Sequence, residues 1–215
     1  MRAYVKRGKG SEGGGAYRDR FILHQYVLIL CQTGIRVGEA RNLVWNDIKT
    51  ITKDGKPGVL LLVSGKTGDR DVIPAHPIWT RDYLLRLWEM RKEEIGADPS
   101  LDEYVFCHKN GTKIGSLKKG FERLLTESGL LKNSRGEKRV IYSLRHTFCE
   151  LRLQEGVREL ILARNMGTSV EMIYRFYGSH SENIRYLEEL TRMGYEVGKK
   201  STRVKRVANP SETPF

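Results

Sequence analysis

Apolar residues crowd together early in the chain and thin out soon after. Phe21, Ile22, Val27, Leu28, Ile29 and Leu30 form a strongly apolar segment that ends at Thr33-Gly34. This density predicts a buried helix that starts near Tyr17. A second helix is predicted from Arg36 to about Trp45. The period then changes from helical spacing to short apolar runs. Ile48 to Thr52, Val59 to Ser64 and Arg70 to Ile73 read as three strands, separated by the turn-forming stretches Lys53-Asp54-Gly55-Lys56-Pro57-Gly58 and Gly65-Lys66-Thr67-Gly68-Asp69. They predict an antiparallel meander.

Pro77 suits the first turn of a long helix running to about Ile95, with Asp98-Pro99 beyond it. Tyr104 to Cys107 reads as a short extended piece and Asn110-Gly111 as a turn. Ser116 can cap a helix that turns Phe121, Leu124 and Leu125 inward. Another helix begins at Ser143, carries Leu144, Phe148, Leu151 and Leu153, and breaks at Gly156. Three short helices follow, over 157–166, 169–176 and 181–193. The predicted fold class is mainly α with a small antiparallel β-sheet. Residues 1–16 are Gly-rich, basic and aperiodic and read as a flexible linker. Residues 17–195 form the expected domain, and 196–215 a basic tail.

The 215 residues suffice for one domain. No apolar run approaches a membrane span, and the N-terminal stretch lacks the apolar core of a signal peptide. Cys31, Cys107 and Cys149 are scattered, and so are His24, His76, His108, His146 and His180. Neither set predicts a disulfide framework or a metal site. A reducing cytoplasm is the expected location. Charge adds more: 38 Lys and Arg against 26 Asp and Glu leave a formal charge of +12. That excess favours a polyanion through counterion release. It does not distinguish DNA from RNA, or a binder from an enzyme.

Two separated blocks carry the candidate chemistry. The first is Thr33-Gly34-Ile35-Arg36-Val37-Gly38-Glu39-Ala40 and the second is Ile141-Tyr142-Ser143-Leu144-Arg145-His146-Thr147-Phe148. An arginine fork matches phosphate oxygens two at a time and stays charged at any working pH. Glu39 lies one helical turn beyond Arg36, where it can brace the guanidinium. Tyr177 follows the second block, and a tyrosine oxygen can carry a broken strand as an ester. These blocks, over roughly Tyr17 to Met193, resemble the catalytic domain of the tyrosine recombinases, the phage integrase family.

The resemblance implies the fold of the DNA breaking–rejoining enzymes and assigns roles. Arg36 and Arg145 would clamp the scissile phosphate, with Glu39 as the supporting acid. Lys66, at the tip of the second hairpin, would donate a proton to the leaving 5′ oxygen. Tyr177 would be the nucleophile, because Met166-Gly167-Thr168 matches the family's Leu-Gly-His-like block and Thr168 lies nine residues before it; Tyr174 is out of register. The chain departs from the family at Tyr142 and Thr168, where histidine, or at the second position tryptophan, is usual. Both residues can donate a hydrogen bond, but neither accepts a proton well at neutral pH. His146 is expected to point away from the face its neighbours share. The implied reaction needs no metal or other cofactor.

The implied partner is double-stranded DNA, with a homotetramer on two DNA sites, a monomer being possible without DNA. A separate small DNA-binding domain is expected upstream in a longer protein. Arg36, Lys66, Arg145 and Tyr177 are expected to converge on one basic surface. The alternative is a catalytically weakened or inactive DNA-binding relative. A type IB topoisomerase would share the chemistry but act without a partner site.

Overall fold

The computed structural model describes residues 14–65 and 68–177. Among them are seven α-helices and three strands. The first helix, α1 (Gly14–Thr33), begins three residues earlier than the predicted Tyr17. Its buried side chains Ile22, Leu23, Tyr26, Val27, Ile29 and Leu30 make a stripe too broad for a surface helix. Each such side chain contributes about 1.5–3 kcal/mol on burial. α1 accordingly sits in the middle of the main core, packed by later helices.

α2 (Val37–Asn42) is shorter than predicted. Leu43 turns extended, at φ −60° and ψ 124°, and Val44 bridges to Tyr104. Trp45 leads a short 3-10 turn and packs edge-on against Trp88. The three strands are β1 (Ile48–Lys53), β2 (Lys56–Gly65) and β3 (Gly68–Val72), in the order β1-β2-β3 and antiparallel throughout. Asp54 and Gly55 both have positive φ, the geometry of a two-residue primed hairpin turn, and they set the pairing of Lys53 with Lys56. On β2, Val59, Leu61 and Val63 face the core while Leu62 and Ser64 are exposed. On β3, Val72 is buried; Arg70, two residues earlier, shares its face.

α3 (Pro77–Ile95) starts on its proline and ends on Gly96 in the left-handed conformation. α4 (Lys118–Glu127) follows Ser116, whose hydroxyl accepts the Lys118 N–H at 3.2 Å. Phe121, Leu124 and Leu125 face inward, as predicted. α5 (Ser143–Gln154), α6 (Glu159–Met166) and α7 (Val170–Tyr177) build a second, smaller core from Phe148, Cys149, Leu153, Leu162, Ala163, Met166 and Ile173. No described helix is long and apolar enough to cross a membrane. The expected helix over 181–193 and the basic tail lie outside the described residues, as do residues 1–13 of the expected linker.

Candidate functional site

The C-terminal end of α6 organises the site. Gly167 caps it with φ +64°, and the Thr168 N–H returns to the Ala163 carbonyl at 3.0 Å, closing a Schellman-type turn. Three consecutive carbonyls there each hold a different arginine. The Asn165 oxygen accepts from Arg70 Nε at 3.1 Å, and the Met166 oxygen from Arg145 Nη2 at 2.8 Å. The Gly167 oxygen accepts from Arg36 Nη2 in a very short contact. A helix C-terminus carries partial negative charge, so it is a favourable seat for cations.

Each arginine comes from a different element. Arg36 is the residue before α2, extended at φ −71° and ψ 150°. Its own N–H donates to Glu39 Oε2 at 2.7 Å and its Nη1 to Glu39 Oε1 at 2.8 Å. Arg145 lies in the first turn of α5 and is buried. Its Nη1 donates to the Gly34 carbonyl at 2.6 Å. Gly34 sits at φ +62°, and a Cβ there would come within 2.3 Å of the Phe148 ring. Only glycine lets the turn after α1 lie this close to α5 and present its carbonyl to Arg145. Arg70 comes from β3 and forks onto both oxygens of Glu39, at 2.9 and 2.8 Å.

Among the described residues, Glu39 is the one carboxylate bonded to these arginines. Burial pushes its carboxyl up, but the hydrogen bonds from Arg70 and Arg36 prevail and hold it down at about 2. Among the described residues, Arg145 bonds to carbonyls alone. Burial first, then Arg36, lowers its guanidinium from the ordinary arginine value. Three guanidinium groups therefore share one carboxylate, and two positive charges have no counter-ion among the described residues.

A second arginine cluster in the same molecule is balanced. Arg18 and Arg91 pair with Glu94 and Glu103 to join α1, α3 and the following loop. That network neutralises itself and serves the fold. The Arg36–Arg70–Arg145 cluster does not, and an anion would complete it.

Glu39→Gln is expected to destabilise the protein by about 3 kcal/mol near neutral pH, because two guanidinium groups lose their charge partner. The deficit should shrink in acid. Glu39 is depressed in the folded state, so its stabilisation is present above the ordinary value of 4.5 and is lost as pH falls from there toward 2. Denaturant titrations of parent and variant across that window measure the difference. A deficit that stayed constant would show that Glu39 does not titrate in this way.

Of the residues singled out from sequence, Arg36, Glu39 and Arg145 are brought together, and Thr168 directly follows the turn that gathers them. Tyr142 immediately precedes α5, is 47% exposed, and stacks edge-on against His146 with ring centroids 5.0 Å apart. His146 does not point away as expected: its ring lies between Tyr142 and Phe176 of α7, 6.1 Å from the latter. Residues one turn apart on a helix meet, which brings 146 back over 142. Burial first, then Arg145, lowers the His146 pKa and so favours the neutral ring. Tyr177 is the last residue of α7. Lys66 falls outside the described residues, between the paired Gly65 and Gly68.

Arg70 was missed by the sequence reading. Its signal was present: in Asp69-Arg70-Asp71-Val72 the alternation puts Arg70 on the side of Val72, and an inward arginine on a strand needs a buried acid.

No curated protein matches the chain. Solved structures do. The XerH site-specific recombinase bound to difH substrate is 21% identical, with a TM-score of 0.61 over 89% of this chain and 52% of its own. The Tn1549 transposon integrase in complex with transposon right end DNA is 20% identical, with a TM-score of 0.56 over 89% and 64%. A lambda integrase dimer bound to a COC′ core site is 18% identical, with a TM-score of 0.53 over 84% and 58%. The chain thus spans less than two thirds of the length of each. The fold is that of the tyrosine recombinase catalytic domain, helices around a small three-stranded sheet. The phage integrase family model matches residues 12–183, most of the chain and every residue of the arginine cluster, and the protein belongs to the phage integrase family.

Proposed function

We propose that this protein is a site-specific DNA recombinase that cuts and rejoins strands through a 3′-phosphotyrosyl intermediate. The observation that carries the reading is the unbalanced arginine cluster: Arg36, Arg70 and Arg145 set three positive charges against the single carboxylate of Glu39 among the described residues. A phosphodiester supplies the matching charge. Arg36 keeps its side chain 31% exposed and has donors left for an incoming oxygen. Fixed in place beforehand, the guanidinium groups stabilise the five-coordinate phosphorus without moving at the moment of reaction.

In this reading the Tyr177 oxygen attacks phosphorus as the phenol passes its proton to solvent water. The bond to the 5′ oxygen breaks, and Lys66 gives that oxygen a proton. A 5′-hydroxyl from another strand then attacks the phosphotyrosine, and the phenol leaves. Tyr142 and Thr168 act as hydrogen-bond donors to the phosphate. Residues 17–195 are the catalytic domain, double-stranded DNA is the substrate, and the working assembly is a homotetramer on two sites in the cytoplasm. The structural neighbours support DNA as the partner, since the Tn1549 integrase is in complex with transposon right end DNA.

A second reading is a DNA-binding relative with little or no cleavage. Tyr142 and Thr168, standing where histidine or tryptophan is usual, favour it. One assay separates the two: incubation with a nicked suicide duplex from the flanking attachment region. A covalent adduct supports the recombinase, and binding without an adduct assigns the second reading. The same duplex tests the electrostatic grip. With a formal charge of +12, binding is expected to weaken about 100-fold or more between 50 and 200 mM salt. Affinity indifferent to salt would contradict phosphate-led binding.

A further inference from the structure

We propose that Arg70 is a positioning residue: it fixes Arg36 through Glu39 and ties the root of the β2–β3 hairpin to the phosphate-binding turn. The inference rests on reading the site as a phosphodiester-cleaving centre.

Arg36 has two side-chain anchors, the Glu39 carboxylate and the Gly167 carbonyl. Arg70 touches both. It donates Nη1 and Nη2 to the two oxygens of Glu39, leaving the carboxylate no freedom to rotate. It also lies flat against Gly167: a Cβ there would fall 2.7 Å from its guanidinium carbon. Its Nε meanwhile holds the Asn165 carbonyl, two residues earlier in the same turn. The Arg70 side chain is 10% exposed, against 31% for Arg36. Arg70 faces inward with its donors directed at protein acceptors, whereas Arg36 is open to an incoming group.

The hairpin is gripped at its root from both strands. Arg70 is two residues beyond Gly68 on β3, and Gly65 on β2 lies so close to Glu39 that a Cβ would sit 2.6 Å from Oε1. The hairpin root and Arg36 are therefore referenced to the same carboxylate. A lysine at 70 would keep a charge near Glu39, but one ammonium cannot hold two carboxylate oxygens and a carbonyl in a fixed plane.

The test uses the full chain with Arg70→Met and Arg70→Lys, alone and combined with Glu39→Gln. The first measurement is the Nε–H signal of Arg36 by NMR, without DNA. In Arg70→Met it is expected to broaden or move to the shift of a free arginine, with Arg70→Lys between that and the parent. The second is single-turnover cleavage of the nicked duplex. Arg70→Met is expected to lose about 100-fold in cleavage rate, with duplex affinity changed less than about threefold. In the Glu39→Gln background the same substitution should cost no more than about threefold, because the two residues act as one unit.

An unmoved Arg36 signal in folded Arg70→Met overturns the proposal, as does a full 100-fold loss in the Glu39→Gln background. If Arg70→Met fails to fold, Arg70→Lys carries both measurements, since it retains the buried charge. If the parent itself forms no adduct, the cleavage reading fails, and the Arg36 signal still decides the role of Arg70.

Discussion

Tyr177→Phe is expected to abolish the covalent protein–DNA adduct while duplex affinity stays within about threefold of the parent. Removing one oxygen deletes the atom that would bond to phosphorus, and the arginine cluster that attracts the phosphate is unchanged. Partial loss is not expected, because a phenyl ring has no substitute nucleophile. Tyr174 is the competitor: it lies on the same helix and is 49% exposed. Ile173 is buried in the second core and fixes the orientation of α7 there. Residue 174 lies about a quarter turn from Ile173 around the helix. Peptide mapping of the adduct decides between them. An adduct on Tyr174 in the Tyr177→Phe protein would overturn the assignment.

Arg145→Met is expected to reduce cleavage by about 1000-fold, the upper end for loss of one transition-state donor. Stability should change far less. The Gly34 and Met166 carbonyls lose a donor, which costs about 1–3 kcal/mol each, but the protein no longer buries a charge bonded only to carbonyls. The two effects oppose each other. The variant should therefore fold and be almost inert, the reverse of a mutation that acts through unfolding. Sulfate makes the contrast visible without DNA. It should raise the parent's Tm by binding the excess charge and have little effect on Arg145→Met. An equal sulfate response in both proteins would remove Arg145 from the anion site.

Much of the fold could be read from residues acting locally. Pro77 began a helix, Gly34 and Gly156 ended helices, and Asp54-Gly55 turned a hairpin, because each depends on backbone freedom its own residue type imposes. Boundaries set by distant partners were not legible. α1 extends back to Gly14 through residues poor in helix propensity; Arg18, bonded to Glu94 and to the Cys107 carbonyl, holds its first turns. α2 stops early because Val44 and Trp45 are drawn to Tyr104 and Trp88.

The site divides in the same way. Arg36, Glu39 and Arg145 stand in short recognisable blocks. Arg70 stands in a strand whose pattern marks it as inward but does not name its partner, 31 residues upstream. The placement of His146 depended on Phe176, on a helix the local pattern could not orient.

Asn165, Met166 and Gly167 each hold an arginine from a different part of the chain, in strict succession. Inserting or deleting one residue within α6 would rotate these carbonyls by about 100° and hand every guanidinium to the wrong oxygen at once. The surface loop Asn133–Lys138 bonds mainly within itself and holds none of these arginines. Length variation among related chains should therefore gather in loops of that kind and spare the interval from Glu159 to Gly167, whatever happens to the identity of its exposed residues.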